Sequence, residues 1–186
     1  QQRRKIGSLL ETPNFYSYMS GRDNLRVTQS ISGRGTLKNI DEVLKKVSLY
    51  ERRNSRFKAY SLGMKQRLAI GAALLGDPKV LVLDEPTNGL DPVGIAEIRD
   101  LIVELKDKGH TIIMASHLLD EVEKVCTHAA ILKTGELITT GLVDDILMDE
   151  DIVECSARDL PALGAILAYF GKEVRKDDKT QTVQVL

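Results

Sequence analysis

Four consecutive apolar residues, Val80-Leu81-Val82-Leu83, run straight into Asp84-Glu85-Pro86, and this junction constrains the chain more than any other feature. A run that is apolar at every position suits a strand of parallel sheet covered on both faces by helices. Its flanks agree. Residues 64–75 are rich in Ala and Leu and read as a helix stopped by Gly76-Asp77-Pro78, a glycine cap followed by a proline. After the junction, residues 92–108 put Ile95, Ile98, Leu101, Ile102 and Leu105 on one helical stripe, closed by Gly109. A second apolar strand over 111–115 ends in Ser116-His117. Strand, helix and strand joined by right-handed crossovers make an open parallel sheet, and such sheets bind ligands at the carboxyl ends of their strands. Asp84, Glu85 and His117 all fall there. Taken singly, Asp84 is also a turn cap and His117 a boundary histidine; their shared position is what points to chemistry.

The rest of the chain extends the same pattern. Residues 5–10 form a short apolar strand closed by Thr12-Pro13-Asn14, because proline cannot donate to a continuing ladder. Between 21 and 49 the period becomes helical, with Ile40, Val43, Leu44 and Val47 on one stripe, broken by the turn Ser32-Gly33-Arg34-Gly35. The basic cluster Arg52, Arg53, Arg56 and Lys58 reads as a solvated surface. Residues 118–125 and 142–147 read as short helices, and 129–133 with 136–139 as a hairpin about Thr134-Gly135. Beyond Asp149-Glu150-Asp151 the order becomes β-α-β-β over 152–155, 160–170, 173–175 and 180–185, a small C-terminal appendage.

Composition removes several classes of function. The chain has 186 residues, 42% of them apolar, enough for a true core. Its 26 basic and 27 acidic side chains give a net charge of −1, so no global basic excess draws it to phosphate backbones. Aromatics are 4% and Trp is absent, which argues against a base-stacking surface; no nucleic-acid partner is expected. Cys126 and Cys155 lie far apart without a metal-ligand spacing, as in a protein of the reducing cytoplasm. No apolar stretch approaches the roughly 20 residues of a membrane-spanning helix. The first residues lack a starting Met and a signal-peptide pattern.

The junction and its neighbours then carry a resemblance. Four apolar residues followed by Asp-Glu form a Walker B pattern, and Tyr60-Ser61-Leu62-Gly63-Met64, continued by Lys65-Gln66-Arg67 and Ala69, resembles the L-S-G-G-Q signature of ABC-transporter ATPases. Asn88-Gly89-Leu90-Asp91-Pro92 resembles that family's D-loop, His117 falls where its switch histidine lies, and residues 6–11 resemble the strand and Q-loop. Several motifs in one order are more specific than any alone. The resemblance implies an α/β fold, a P-loop NTPase-like parallel sheet with a helical subdomain at about 14–76. The partial ATPase domain spans 1–149, with an accessory unit over 150–186. It also implies ATP with Mg²⁺: Asp84 holding the ion through water with Glu11 beside it, Glu85 as general base and His117 on the terminal phosphate. Ser61, Gly63 and Met64 would face the nucleotide of a second ATPase subunit, and Asp91 would couple the two sites. A transmembrane permease subunit is the other implied partner, which places the chain in the cytoplasm against the inner face of the cell membrane. Phosphoryl transfer asks a protein mainly for positioning and charge neutralisation, which suits this set of groups.

Departures from the family pattern matter as much. Leu62 replaces the first signature glycine, Met64 the glutamine and Glu11 the Q-loop glutamine. An ionised Glu11 can join a magnesium shell but cannot donate a hydrogen bond. Glu11-Thr12-Pro13, the signature variant and the C-terminal appendage are together similar to the branch of bacitracin and lantibiotic exporters. No G-x-x-x-x-G-K-[ST] run occurs; Gly33-Arg34-Gly35-Thr36 is too short and lacks the lysine. The expectation is therefore a chain lacking an N-terminal phosphate-binding segment, inactive alone, with apolar faces of 80–83 and 111–115 uncovered and prone to self-association. Phe15, Tyr16 and Tyr18 are either contacts for the membrane subunit or ordinary packing. The competing functions are a soluble ABC ATPase and a non-catalytic binding or regulatory module.

Overall fold

Capped helical stripes alternate with apolar strands along most of the sequence, and the computed structural model folds them accordingly. It describes residues 5–10, 14–146, 153–155, 157, 159–169, 174–177 and 182–185. The chain divides into two compact units, 1–126 and 127–186.

The first unit is built on β1 (Ile6–Leu9), β2 (Val80–Asp84) and β3 (Thr111–Ala115), hydrogen-bonded in that order and all parallel. In register, Leu9 stands beside Leu83, Leu83 beside Met114 and Asp84 beside Ala115. Helices α3 (Leu62–Leu74) and α4 (Pro92–Asp107) lie on one face. There Gly7, Leu9, Leu81 and Leu83 are buried against Leu74, Ile98, Ile102 and Leu105. The other face is open: Ile6, Val82 and Ile113 are 42%, 36% and 58% exposed. The uncovered apolar face expected at 80–83 and 111–115 is this one, while the covering on both faces that the apolar run suggests by itself holds for one face only. Continuous apolarity encodes two buried sides, and these helices close one of them.

Strand and helix meet most closely at Gly7, where an added Cβ would stand 2.2 Å from the carbonyl oxygen of Ala73 on α3. Only a residue without a side chain fits that approach.

Between β1 and α3 lies a helical layer of α1 (Gly21–Ser32) and α2 (Leu37–Lys46). Ser20 caps α1 by accepting from the Asp23 amide, and Gly33, at φ 62°, ends it in the left-handed conformation. Thr36 and Asn39 form a reciprocal capping box on α2. The stripe Ile40, Val43, Leu44 and Val47 is buried as its period predicts, with Leu25, Leu68 and Ile70 in the same core. Buried Asn24 is fully engaged, donating to the carbonyls of Tyr16 and Ser20 and accepting from the Tyr16 amide. The short helix α5 (Leu119–Val125) completes this unit.

In the second unit, β4 (His128–Lys133) and β5 (Glu136–Leu142) form the expected hairpin, with Thr134 and Gly135 both at positive φ as a type I′ turn requires. Helix α6 (Val143–Ile146) follows. Then come β6 (Val153–Cys155), α7 (Leu160–Tyr169), β7 (Val174–Asp177) and β8 (Thr182–Val185), the β-α-β-β order read from the sequence. They form an antiparallel sheet in the order β6-β8-β7. Both cysteines are free. Among the described residues no helix is long and apolar enough to cross a membrane.

Candidate nucleotide site

β2 ends at half-buried Asp84, level with Ala115 at the end of β3. The backbone then turns sharply. Glu85 sits at φ 46°, a left-handed conformation that costs a residue with a side chain about 1–3 kcal/mol and clusters at functional sites. Two hydrogen bonds hold it: its amide donates to the Ala115 carbonyl at 3.0 Å, and its own carbonyl accepts from the Asn88 amide at 3.2 Å. The turn carries the Glu85 carboxylate to His117, with Oε2 2.9 Å from Nδ1. Glu85 is 21% exposed and His117 61%, so the pair stands at the rim of the strand ends with the imidazole facing outward. Ser116 Oγ accepts from the Leu118 amide and fixes the turn that presents His117. Glu85 and His117 therefore meet in the crevice at the carboxyl ends of β2 and β3, where Asp84 is the last residue of β2.

Residues 88–91 continue from it. Gly89 takes φ 71°, and Asp91 caps α4 by accepting from the Gly94 amide at 2.9 Å, with Pro92 at the first helical position. Asp91 thus has a structural task of its own.

The signature residues form a separate tip. Ser61 is the N-cap of α3, its Oγ accepting from the Met64 amide at 3.2 Å. Leu62 is 48% exposed. An added Cβ at Gly63 would meet nothing within 4 Å, so nothing inside the chain requires glycine there. Met64 is half-buried against the core, which explains an apolar side chain where a glutamine would be expected. The two motifs approach each other through Gly89, whose Cβ position lies 3.4 Å from Leu62 Cδ2.

Of the other expected residues, Glu11 lies outside the described residues. Phe15 packs edge-on against Phe57 with ring centres 5.2 Å apart, while Tyr16 and Tyr18 are 48% and 65% exposed. Among the described residues no three His, Cys, Asp or Glu side chains form a metal cage. Asp84 alone fits a magnesium ion that arrives with phosphates, since that ion commonly takes one or two carboxylates and completes its shell with water and phosphate oxygens. Sequence reasoning missed the left-handed Glu85, for which no sequence signal exists, and the reach of Arg34 out of a turn that the glycines alone announced.

A three-stranded parallel sheet with two carboxylates and a histidine at its strand ends, beside a serine-capped helix tip, agrees with the arrangement that the resemblance to ABC-type ATPase domains implies. The family model described as ABC transporter matches residues 1–88, and the chain belongs to that family. It is 46% identical to the bacitracin transport ATP-binding protein BcrA of Bacillus licheniformis, over 73% of this chain and 44% of the relative. It is 44% identical to the lantibiotic transport ATP-binding protein SrtF of Streptococcus pyogenes, over 73% of this chain and 58% of the relative. Among solved structures it superimposes on cbiO1 of Clostridium perfringens, part of the ABC transporter complex cbiONQ, with a TM-score of 0.71 and 29% identity. That match covers 91% of this chain and 66% of the other. The chain spans about half the length of the curated relatives it matches.

Proposed function

We propose that the chain is part of the ATP-binding and ATP-hydrolysing subunit of an ABC exporter of the bacitracin and lantibiotic branch, energising transport through a separate membrane subunit. The observation that carries this reading is the 2.9 Å contact between Glu85 and His117 at the carboxyl ends of neighbouring parallel strands. In this reading Glu85 takes the proton of the attacking water, and His117 orients the Glu85 carboxylate and faces the terminal phosphate. Asp84 holds Mg²⁺ through water, with Glu11 beside it; the ion supplies neutralisation of phosphate charge. Ser61 and Gly63 offer a hydroxyl, free amides and a helix N-terminus to the nucleotide of a second ATPase subunit, with Met64 behind them and Asp91 beside the shared boundary. The similarity to bacitracin and lantibiotic transport ATP-binding proteins supports that branch. A permease partner and a place on the cytoplasmic face of the cell membrane follow from the same reading, as does a functional division after residue 149.

The test is Glu85→Gln in the complete gene product. Losing a general base lowers turnover by about 10²–10⁴-fold while leaving ATP binding in place, read by phosphate release and by nucleotide binding. Undiminished phosphate release would remove Glu85 from the role.

A further inference from the structure

The turn between α1 and α2 sends one side chain across to two other elements. Arg34 Nη1 donates to the carbonyl of Ile6 at the start of β1, at 2.9 Å, and to that of Ala73 on α3, at 3.4 Å. Its Nη2 donates to the carbonyl of Ala72 at 3.3 Å. Ala72 and Ala73 lie in the last turn of α3, where the helix end is negative; the Ala72 carbonyl also accepts from the Leu75 amide at 3.4 Å, so Arg34 adds a second donor there. That last turn has no basic residue of its own, so Arg34 supplies the missing cation from a distant part of the chain.

The surroundings are fitted to this reach. Gly35 and Gly76 both take positive φ, and a Cβ on Gly35 would stand 2.9 Å from the Gly76 nitrogen, so the turn sits backbone to backbone on the loop after α3. Gly7 presses the β1 backbone onto Ala73, one of the carbonyls that Arg34 holds. Burial draws the guanidinium pKa below its ordinary value, the cost of taking this charge out of water.

We propose that Arg34 is a positioning residue for the phosphate-facing tip at Ser61 and Gly63, fixing α3 against β1 from the far end of the helix. The proposal rests on the reading of that tip given above. α3 has 13 residues and is therefore a rod about 20 Å long. Its C-terminal end is held by the planar fork of Arg34; its N-terminal end carries Ser61 and Gly63. Releasing the held end lets the rod tilt, and displacement of a catalytic group by about 1 Å is enough to cost orders of magnitude in rate. A lysine keeps the charge but cannot donate to two elements at once through a rigid fork.

The experiment compares wild type, Arg34→Lys and Arg34→Met in the complete gene product. It measures ATP turnover against ATP concentration, binding of a fluorescent ATP analogue, and hydrogen–deuterium exchange over residues 6–9 and 72–77. The expected result is analogue binding within about twofold of wild type, turnover lowered by about tenfold or more in Arg34→Met and severalfold in Arg34→Lys, and faster exchange in both segments. Turnover and exchange equal to wild type in folded Arg34→Met would overturn the proposal. So would full turnover in Arg34→Lys, which would reduce Arg34 to a charge. Arg34→Lys decides the matter if Arg34→Met fails to fold. If the wild type itself hydrolyses no ATP, the ATPase reading falls; the clamp is then judged on exchange, faster exchange in both segments supporting it and unchanged exchange rejecting it.

Discussion

The crevice at the ends of β2 and β3 and the tip of α3 are built in opposite ways. In the crevice the groups engage one another: Glu85 is held at φ 46° by two backbone hydrogen bonds and lies 2.9 Å from His117. At the tip, Ser61 accepts only from the amide of its own first turn, Leu62 is half exposed and Gly63 has open space around it. One region is a local assembly, the other an outward surface. A crevice that bonds internally keeps its geometry without ligand. A helix tip with free amides is complete only against something brought from outside. The contrast supports reading the two as opposite halves of a nucleotide pocket shared between two subunits.

Glycine substitutions sharpen the contrast, because the packed end of α3 against β1 and the open tip use glycine for different reasons. The largest effect on stability belongs to Gly7→Ala, whose methyl group would meet the Ala73 carbonyl at 2.2 Å. Backbone cannot yield as a flexible side chain does, so the cost is about 3 kcal/mol or more by urea denaturation. A smaller loss, about 1 kcal/mol, follows Ser61→Ala, which removes the cap of α3. Gly63→Ala should be neutral or stabilising by up to about 1 kcal/mol, since alanine is the better helix former and meets nothing. Turnover nevertheless falls in Gly63→Ala if that open space is where a nucleotide docks. A variant with raised Tm and unchanged turnover would show the openness to be incidental.

Much of this contrast was legible in the sequence, for identifiable reasons. The apolar run 80–83, the stops at Gly76-Asp77-Pro78 and Gly109, and the 3.6-residue stripes of α2 and α4 locate the sheet, its helices and hence the strand ends where Asp84, Glu85 and His117 stand. These are local signals, each fixed within a dozen residues. What the sequence withheld depends on distance. The run 80–83 alone reads as covered on both faces, and only the absence of a phosphate-binding motif points to the uncovered apolar face that Val82 and Ile113 show. The fork of Arg34 across β1 and α3 joins residues 28 and 39 positions apart, and the turn glycines around it mark only a bend. The left-handed conformation of Glu85 is imposed by Ala115 on the neighbouring strand, which its own residue type does not announce.

Complementation between two inactive proteins tests the shared pocket most directly. Glu85→Gln removes the crevice half, and Ser61→Glu places a carboxylate where the tip would meet phosphate. Each variant of the complete gene product alone should release phosphate at a small fraction of the wild-type rate. Mixed, they should recover activity, because one pocket of each mixed pair then joins an intact Glu85 from one copy to an intact Ser61 from the other. A mixture as inactive as its components, with mixed pairs demonstrated by light scattering, would mean that crevice and tip do not serve one nucleotide across two copies.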